Sequence, residues 1–221
     1  MSYDGKVTPG GPAQVRELDG LTLRKLAVSD MSNNAYLLTC AATGAQLLVD
    51  AADDAVRLEQ LVSEGGDGLD AIATTHRHFD HTRALAELAR ATGARTYAGR
   101  ADADDLPHPT DQPLDHGDRI SFGDVTLEVV EVRGHTPGGI ALAYREPSGT
   151  VHLLTGDSLF PGGVGATNHY DYQSFPQLID DVEERLFGAY DDDTWVYPGH
   201  GDDTTLGAER PHLGEWRERG W

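Results

Sequence analysis

From residue 15 onward, short apolar runs alternate with stretches of helical periodicity. Residues 15–18, 21–27, 35–39 and 46–49 read as strands, each bounded by polar or glycine positions. Residues 54–63 place Ala55, Leu58 and Val62 on one helical face. Residues 69–75 form a continuous apolar run of the buried-strand type. Residues 83–91 predict a helix with Leu85, Leu88 and Ala89 inward, stopped by Gly93, and 95–98 a further short strand.

The second half repeats this alternation. Residues 102–117, with Pro107, Pro109 and Pro113, read as a long surface loop. Strands are expected at 119–122, 125–132, 140–144 and 151–154. Residues 174–189 carry the strongest helical pattern: Ser174 and Gln177 make a capping box, Pro176 sits in the first turn, and Leu178, Ile179, Val182 and Leu186 share a face. A strand at 194–197 precedes a polar, Arg/Glu-rich tail. Residues 1–13 read as a flexible lead and 14–221 as a single domain. Too many strands follow one another without a crossover helix for a doubly wound sheet, so the expected α/β fold has two sheets with helices on the outer faces.

Against this frame four places stand out chemically. His76, His78, Asp80 and His81 begin where the strand at 69–75 ends. In extended backbone residues i and i+2 point the same way, so His76 and His78 converge, and Asp80 and His81 face an adjacent point as the chain turns toward its helix. Three more strands end alike, with a Gly and then a ligand-type residue: Gly134-His135, Gly156-Asp157 and Gly199-His200. Rigid strands deliver such residues accurately to one rim. Imidazole and carboxylate suit Zn2+, and also Fe2+ or Mn2+.

Composition narrows the partners. The net charge of −20, from 37 acids against 17 bases, disfavours nucleic acid and anionic membrane. No apolar run approaches a membrane span and none near the start resembles a signal peptide, so the cytoplasm is the expected location. Cys40 is the only cysteine and reads as a small core residue; an intrachain disulfide is impossible. Oligomeric state stays open.

His76-Arg77-His78-Phe79-Asp80-His81, Gly134-His135-Thr136-Pro137-Gly138, Gly156-Asp157-Ser158-Leu159-Phe160 and Pro198-Gly199-His200-Gly201, in this order, resemble the metallo-β-lactamase superfamily, and within it the glyoxalase II-like (hydroxyacylglutathione hydrolase-like) branch. The resemblance implies a four-layer αββα sandwich with a binuclear site at its open edge. It implies that His76, His78 and His135 bind a first metal, that Asp80, His81 and His200 bind a second, and that Asp157 bridges both. Two Zn2+ per chain are expected, with Fe2+ or Mn2+ as alternatives. Position 157 is Asp where many secreted lactam-cleaving members have Cys, which disfavours antibiotic hydrolysis.

The implied reaction is hydrolysis of a small-molecule thioester. A divalent metal brings bound water near neutrality and so supplies hydroxide for a carbonyl. Asp80 and Asp157 are the expected catalytic carboxylates, orienting the nucleophile and holding the metal pair. The stretch Gly162-Gly163-Val164-Gly165-Ala166-Thr167 resembles the glycine-bearing loop of the branch, and His169, Tyr170 and Tyr172 beyond it are candidate substrate contacts. Long glyoxalases II hold glutathione's carboxylates with Lys and Arg of a helical C-terminal domain. Here 21 residues follow His200, no Lys follows Lys25, and Arg210 is the main cation placed to serve. Alternatives of the same fold are a persulfide dioxygenase with one iron at His76, His135 and Asp157, and a lactone or other ester hydrolase. RNA processing is disfavoured by the charge.

Overall fold

The computed structural model describes residues 3–220. Strands β1 (Gln14–Leu18), β2 (Leu21–Val28), β3 (Asn33–Cys40), β4 (Gln46–Val49), β5 (Ala71–Thr74), β6 (Arg95–Gly99) and β7 (Gln112–Leu114) lie in that order in a seven-stranded sheet. β1 to β4 are antiparallel neighbours, whereas β4 to β7 run parallel. Parallel pairing needs crossovers, and two of them are helical: α1 (Ala55–Gly65) joins β4 to β5 and α2 (Leu85–Thr92) joins β5 to β6.

A six-stranded sheet contains β8 (Arg119–Phe122), β9 (Val125–Glu131), β10 (Ile140–Arg145) and β11 (Val151–Gly156). A small hairpin, β12 (Leu159–Phe160) with β13 (Gly163–Val164), follows. Next comes α3 (Phe175–Asp181), which widens into a π-helical stretch at Val182–Phe187 where Gly188 N–H reaches Glu183 O at 2.8 Å. The chain then returns to the second sheet through β14 (Trp195–Pro198) and β15 (Thr204–Thr205), giving the order β15-β14-β11-β10-β9-β8. Helices α4 (Leu206–Glu209) and α5 (Leu213–Arg219) finish it.

Period-two alternation decides which residues meet between the sheets. In β2, Leu21 and Leu23 point inward while Leu26 and Val28 point outward. The inward set packs against Ile120, Leu127, Val129 and Leu142 of the second sheet. Outside the first sheet, Leu37, Leu48 and Ile72 meet Leu58 and Leu61 of α1 and Leu85 and Leu88 of α2. Outside the second, Ala141, Leu153 and Val196 meet Leu178, Ile179, Val182 and Leu186. Three apolar layers separate four structural ones: the expected αββα sandwich. Among the described residues no helix is long and apolar enough to cross a membrane.

Three expectations need correction. The stretch 102–117 is not a free surface loop. It holds a 3-10 turn, Ala103–Asp105, and β7, because the fully buried Asp102 carboxylate accepts from Thr136 Oγ1 at 2.6 Å and Gly138 N–H at 2.9 Å. The polar tail folds into β15, α4 and α5, where Trp216 is buried against Phe187. Residues 3–13 are tied to the body: Tyr3 O–H donates to Asp203 at 2.6 Å, and the Gly5 carbonyl accepts from Lys25 Nζ at 2.7 Å.

Candidate metal centre

Strand direction collects the site. β9 and β11 each run antiparallel to β10, so they share a direction, and β14 is parallel to β11. Their C-terminal ends therefore present His135, Asp157 and His200 on one rim. β4 and β5, parallel in the other sheet, end at Asp50 and at Thr75-His76. Backbone bonds join the two rims: Asn34 N–H to Gly199 O at 2.7 Å and Ile140 N–H to Thr75 O at 2.9 Å. Gly199 is required here for space, since a Cβ would collide with Asp157 Oδ1.

All seven expected ligands come together. Three groups have ligand atoms within 4.8 Å of one another: His76 with His78 and His135, Asp80 with His81 and His200, and His76 with His81 and Asp157. Asp157 is central. Its Oδ1 lies 3.3 Å from His81 Nε2, and its Oδ2 lies 3.5 Å from His135 Nε2 and 3.4 Å from His200 Nε2. His81 Nε2 and His200 Nε2 face each other at 3.2 Å.

Every imidazole is oriented from behind. His81 Nδ1–H donates to Asp50 Oδ2 at 2.9 Å, His135 Nδ1–H to Ala166 O at 2.8 Å, and His200 Nδ1–H to Met31 O at 2.9 Å. His76 Nδ1–H donates to Thr75 Oγ1 at 3.0 Å, whose own hydroxyl donates to Asp50 Oδ2 at 2.8 Å. His78 bonds outward through Nε2 to the Tyr172 hydroxyl at 2.9 Å, which leaves Nδ1 for the cluster. Asn33 Nδ2 holds Asp80 Oδ2 at 2.9 Å. Such outer bonds fix tautomer and ring direction and raise ligand basicity.

Electrostatically the cluster draws positive charge inward. Burial and neighbouring His81 hold His76 well below the usual imidazole range; burial and His135 bring His78 to about 4; burial lowers His135. These three are neutral donors at pH 7. Burial also opposes charge on His81 and His200, yet Asp157 and Asp50 hold His81 well above its ordinary value, and hydrogen bonds to Asp157 and Asp80 lift His200 to about 10. Protons thus collect where a cation would sit, and ligation displaces them. Meanwhile His76 Nε2, His135 Nε2 and Asp157 Oδ1 are buried and make no hydrogen bond, although other ligand atoms lie 3.3–3.9 Å away, a costly arrangement that a divalent ion would resolve. The residues present fit a metal.

The cluster floors an open cleft of about 500 Å³, lined also by Met31, Phe79, Phe160, Val164, Ala166, His169 and Tyr170. His169 and Tyr170 therefore stand where substrate contact was expected, and Tyr172 stacks on Tyr170 with ring centroids 5.1 Å apart. Arg210 does not. Its guanidinium binds the Asp192 carboxylate and the carbonyls of Phe187 and Tyr190, clamping the turn after the π-helical stretch instead of reaching the cleft.

Sequence reasoning missed Asp50, Thr75 and Asn33. Asp50 had a readable signal, an apolar strand ending in a carboxylate, but no preceding glycine; it takes the left-handed conformation itself, with φ 60°. It accepts from His81, from Thr75 N–H at 2.7 Å and from Thr75 Oγ1, so one carboxylate aims ligands of both groups. Asp50→Asn is expected to weaken metal binding by about 10–100-fold, the usual effect of losing an outer-shell carboxylate. Competition with a chromophoric chelator measures this; wild-type affinity in the variant would remove Asp50 from the centre.

The pattern of the metallo-beta-lactamase superfamily matches residues 28–206. Hydroxyacylglutathione hydrolase of Fuscovulum blasticum is 41% identical over 146 residues, 66% of this chain, and the match spans 55% of that relative's length. The chain thus spans little more than half of that relative. Among solved structures, ETHE1 from Myxococcus xanthus has a TM-score of 0.76 at 28% identity, covering 86% of this chain and 82% of that one. TTHA1623, solved in a di-iron-bound form, has a TM-score of 0.70 at 31% identity, covering 84% and 96%. The chain belongs to the metallo-beta-lactamase superfamily, and within it is similar to the hydroxyacylglutathione hydrolases.

Proposed function

We propose that this chain hydrolyses thioesters of a small thiol at a pair of divalent ions, zinc in the first instance. His76, His78 and His135 would hold one ion and Asp80, His81 and His200 the other, with Asp157 placed between the two groups. The observation that carries this reading is the set of buried, unpartnered ligand atoms, His76 Nε2, His135 Nε2 and Asp157 Oδ1, beneath an open cleft. Similarity to proteins named hydroxyacylglutathione hydrolase supports the thioester as substrate.

When bound, such ions supply Lewis acidity toward a carbonyl oxygen and bring water near neutrality. The chain's own groups do the rest. Asp80, steadied by Asn33, faces the cleft and accepts a hydrogen bond from the attacking water, directing its lone pair at the carbonyl carbon. Asp157 keeps the two ligand groups in register. Tyr170 and His169 contact the substrate from the rim. A thiolate leaves without a strong general acid, and the cleft lining holds neither Lys nor Cys.

A one-iron persulfide dioxygenase uses only the positions of His76, His135 and Asp157; the separate Asp80–His81–His200 group favours two ions. The test is metal analysis of the purified chain beside hydrolysis of S-D-lactoylglutathione and oxygen uptake on glutathione persulfide. Two metals per chain and hydrolysis without oxygen uptake are expected. One iron per chain with oxygen uptake overturns the hydrolase; two irons with hydrolysis corrects only the metal.

A further inference from the structure

Six large apolar side chains are exposed among the described residues; three of them line the metal cleft, Met31 at 45%, Phe79 at 57% and Tyr170 at 46%, and a fourth, Tyr172 at 36%, stacks on Tyr170 beside it. Single exposed apolar residues are ordinary; their gathering at one mouth marks a binding surface. They form two walls. Tyr170 and Tyr172 stack nearly parallel beside His78, 5.3 Å from ring to ring for Tyr170. Phe79, Met31 and Phe160 also line the cleft, the Phe160 ring lying 6.3 Å from His200.

The nearby cations are committed elsewhere. Arg77 pairs with Asp105 and lies 3.6 Å from Asp102, with its guanidinium 4.3 Å from the Tyr172 ring centroid. Arg83 binds Asp53 at 2.8 Å and covers Phe79 at 4.9 Å. Lys25 is buried on Asp203, and Lys6 lies 3.9 Å from Asp202. Among the described residues, no Lys or Arg side chain lines the cleft itself. A peptide thiol such as glutathione brings two carboxylates to this rim, and the lining offers them neither Lys nor Arg.

We propose that the substrate turns an uncharged, apolar group toward the Met31–Phe79–Phe160 and Tyr170–Tyr172 walls, as an aliphatic or aromatic thiol or acyl portion of the thioester. This rests on the thioester-hydrolase reading. In the reaction, water adds to the carbonyl carbon, the C–S bond breaks, and the products are the free acid and the thiol. The walls gain by removing apolar substrate surface from water.

The test compares metal-loaded chain on lactoyl thioesters of glutathione, N-acetylcysteamine and benzyl mercaptan, and on lactoyl and hexanoyl thioesters of N-acetylcysteamine. The first set varies the thiol and the second the acyl group. At least one apolar arm is expected to exceed S-D-lactoylglutathione in kcat/KM by about tenfold or more, through KM. Phe79→Ser and Met31→Ser, both at exposed side chains, should raise KM for that arm about fivefold or more, and by a clearly larger factor than for the glutathione thioester. A higher kcat/KM for the glutathione thioester than for every apolar arm overturns the proposal, as does an unchanged KM in both variants. If no thioester turns over, the hydrolase reading fails and the rim is judged by calorimetric binding of two thioethers. Tighter binding of S-hexyl-N-acetylcysteamine than of S-hexylglutathione sustains it, and the reverse order overturns it.

Discussion

Asp157→Asn is expected to leave a folded chain that holds at most one metal and loses about a thousandfold or more in kcat/KM. One carboxylate here serves four imidazoles: the Nε2 atoms of His76, His81, His135 and His200 lie 3.9, 3.3, 3.5 and 3.4 Å from its oxygens. Burial opposes its ionisation, yet His81 and the other imidazoles hold it well below the usual carboxylate range, so it is an anion at neutral pH. The amide keeps the volume, removes the charge and leaves one oxygen to coordinate. Loss of Lewis-acid stabilisation is worth several kcal/mol, and each 1.36 kcal/mol is tenfold in rate. Because the carboxylate holds protons on His81 and His200, the metal-free variant should melt below the metal-free parent while still folding. Added metal should raise the parent's Tm by mass action and the variant's far less. Two metals and wild-type turnover in Asp157→Asn would remove Asp157 from the centre.

The candidate ligands were legible as one cluster because their chemistry is their identity. His and Asp beyond strand ends say what they bind, and the strand ends say where. Asp50 was harder, since a carboxylate after an apolar run reads equally as a turn. Only its three hydrogen bonds to His81 and Thr75 reveal it. Arg210 shows the opposite failure. Sequence gives a charge but not its partner, and Asp192 with two carbonyls had already taken it. The tail escaped because Leu206, Leu213 and Trp216 are apolar positions scattered among charges, too sparse for a periodic signal, yet all three pack on the second sheet's helical layer. The stretch 102–117 looked polar because its organising residue, Asp102, is a carboxylate that is fully buried.

Lys25→Met should cost about 3–5 kcal/mol of unfolding free energy, the penalty for stranding one partner of a buried ion pair. Lys25 continues the inward parity of Leu21 and Leu23, which puts an ammonium between the sheets at 0% exposure. Its three protons have three acceptors: Gly5 O at 2.7 Å, Gly201 O at 2.7 Å and Asp203 Oδ1 at 2.6 Å. Asp203 Oδ2 in turn accepts from Tyr3 O–H at 2.6 Å and Trp195 Nε1–H at 3.0 Å. Burial pulls Lys25 below and Asp203 above their ordinary values, but no member lacks a partner. Gly201 directly follows His200, and Asp203 lies two residues further on. Asn34 Nδ2, bonded to Pro198 O and Gly201 O at 2.9 Å each, grips the same loop. Slackening it should therefore weaken metal binding beyond the loss in stability. In a double-mutant cycle, Lys25→Met with Asp203→Leu should cost clearly less than the sum of the singles, because removing both charges strands neither. Urea unfolding of the metal-free proteins measures the stability, and chelator competition on the folded variants measures the ions. A single variant within about 1 kcal/mol of the parent would mean that the ammonium is replaceable by packing alone, as some buried pairs are.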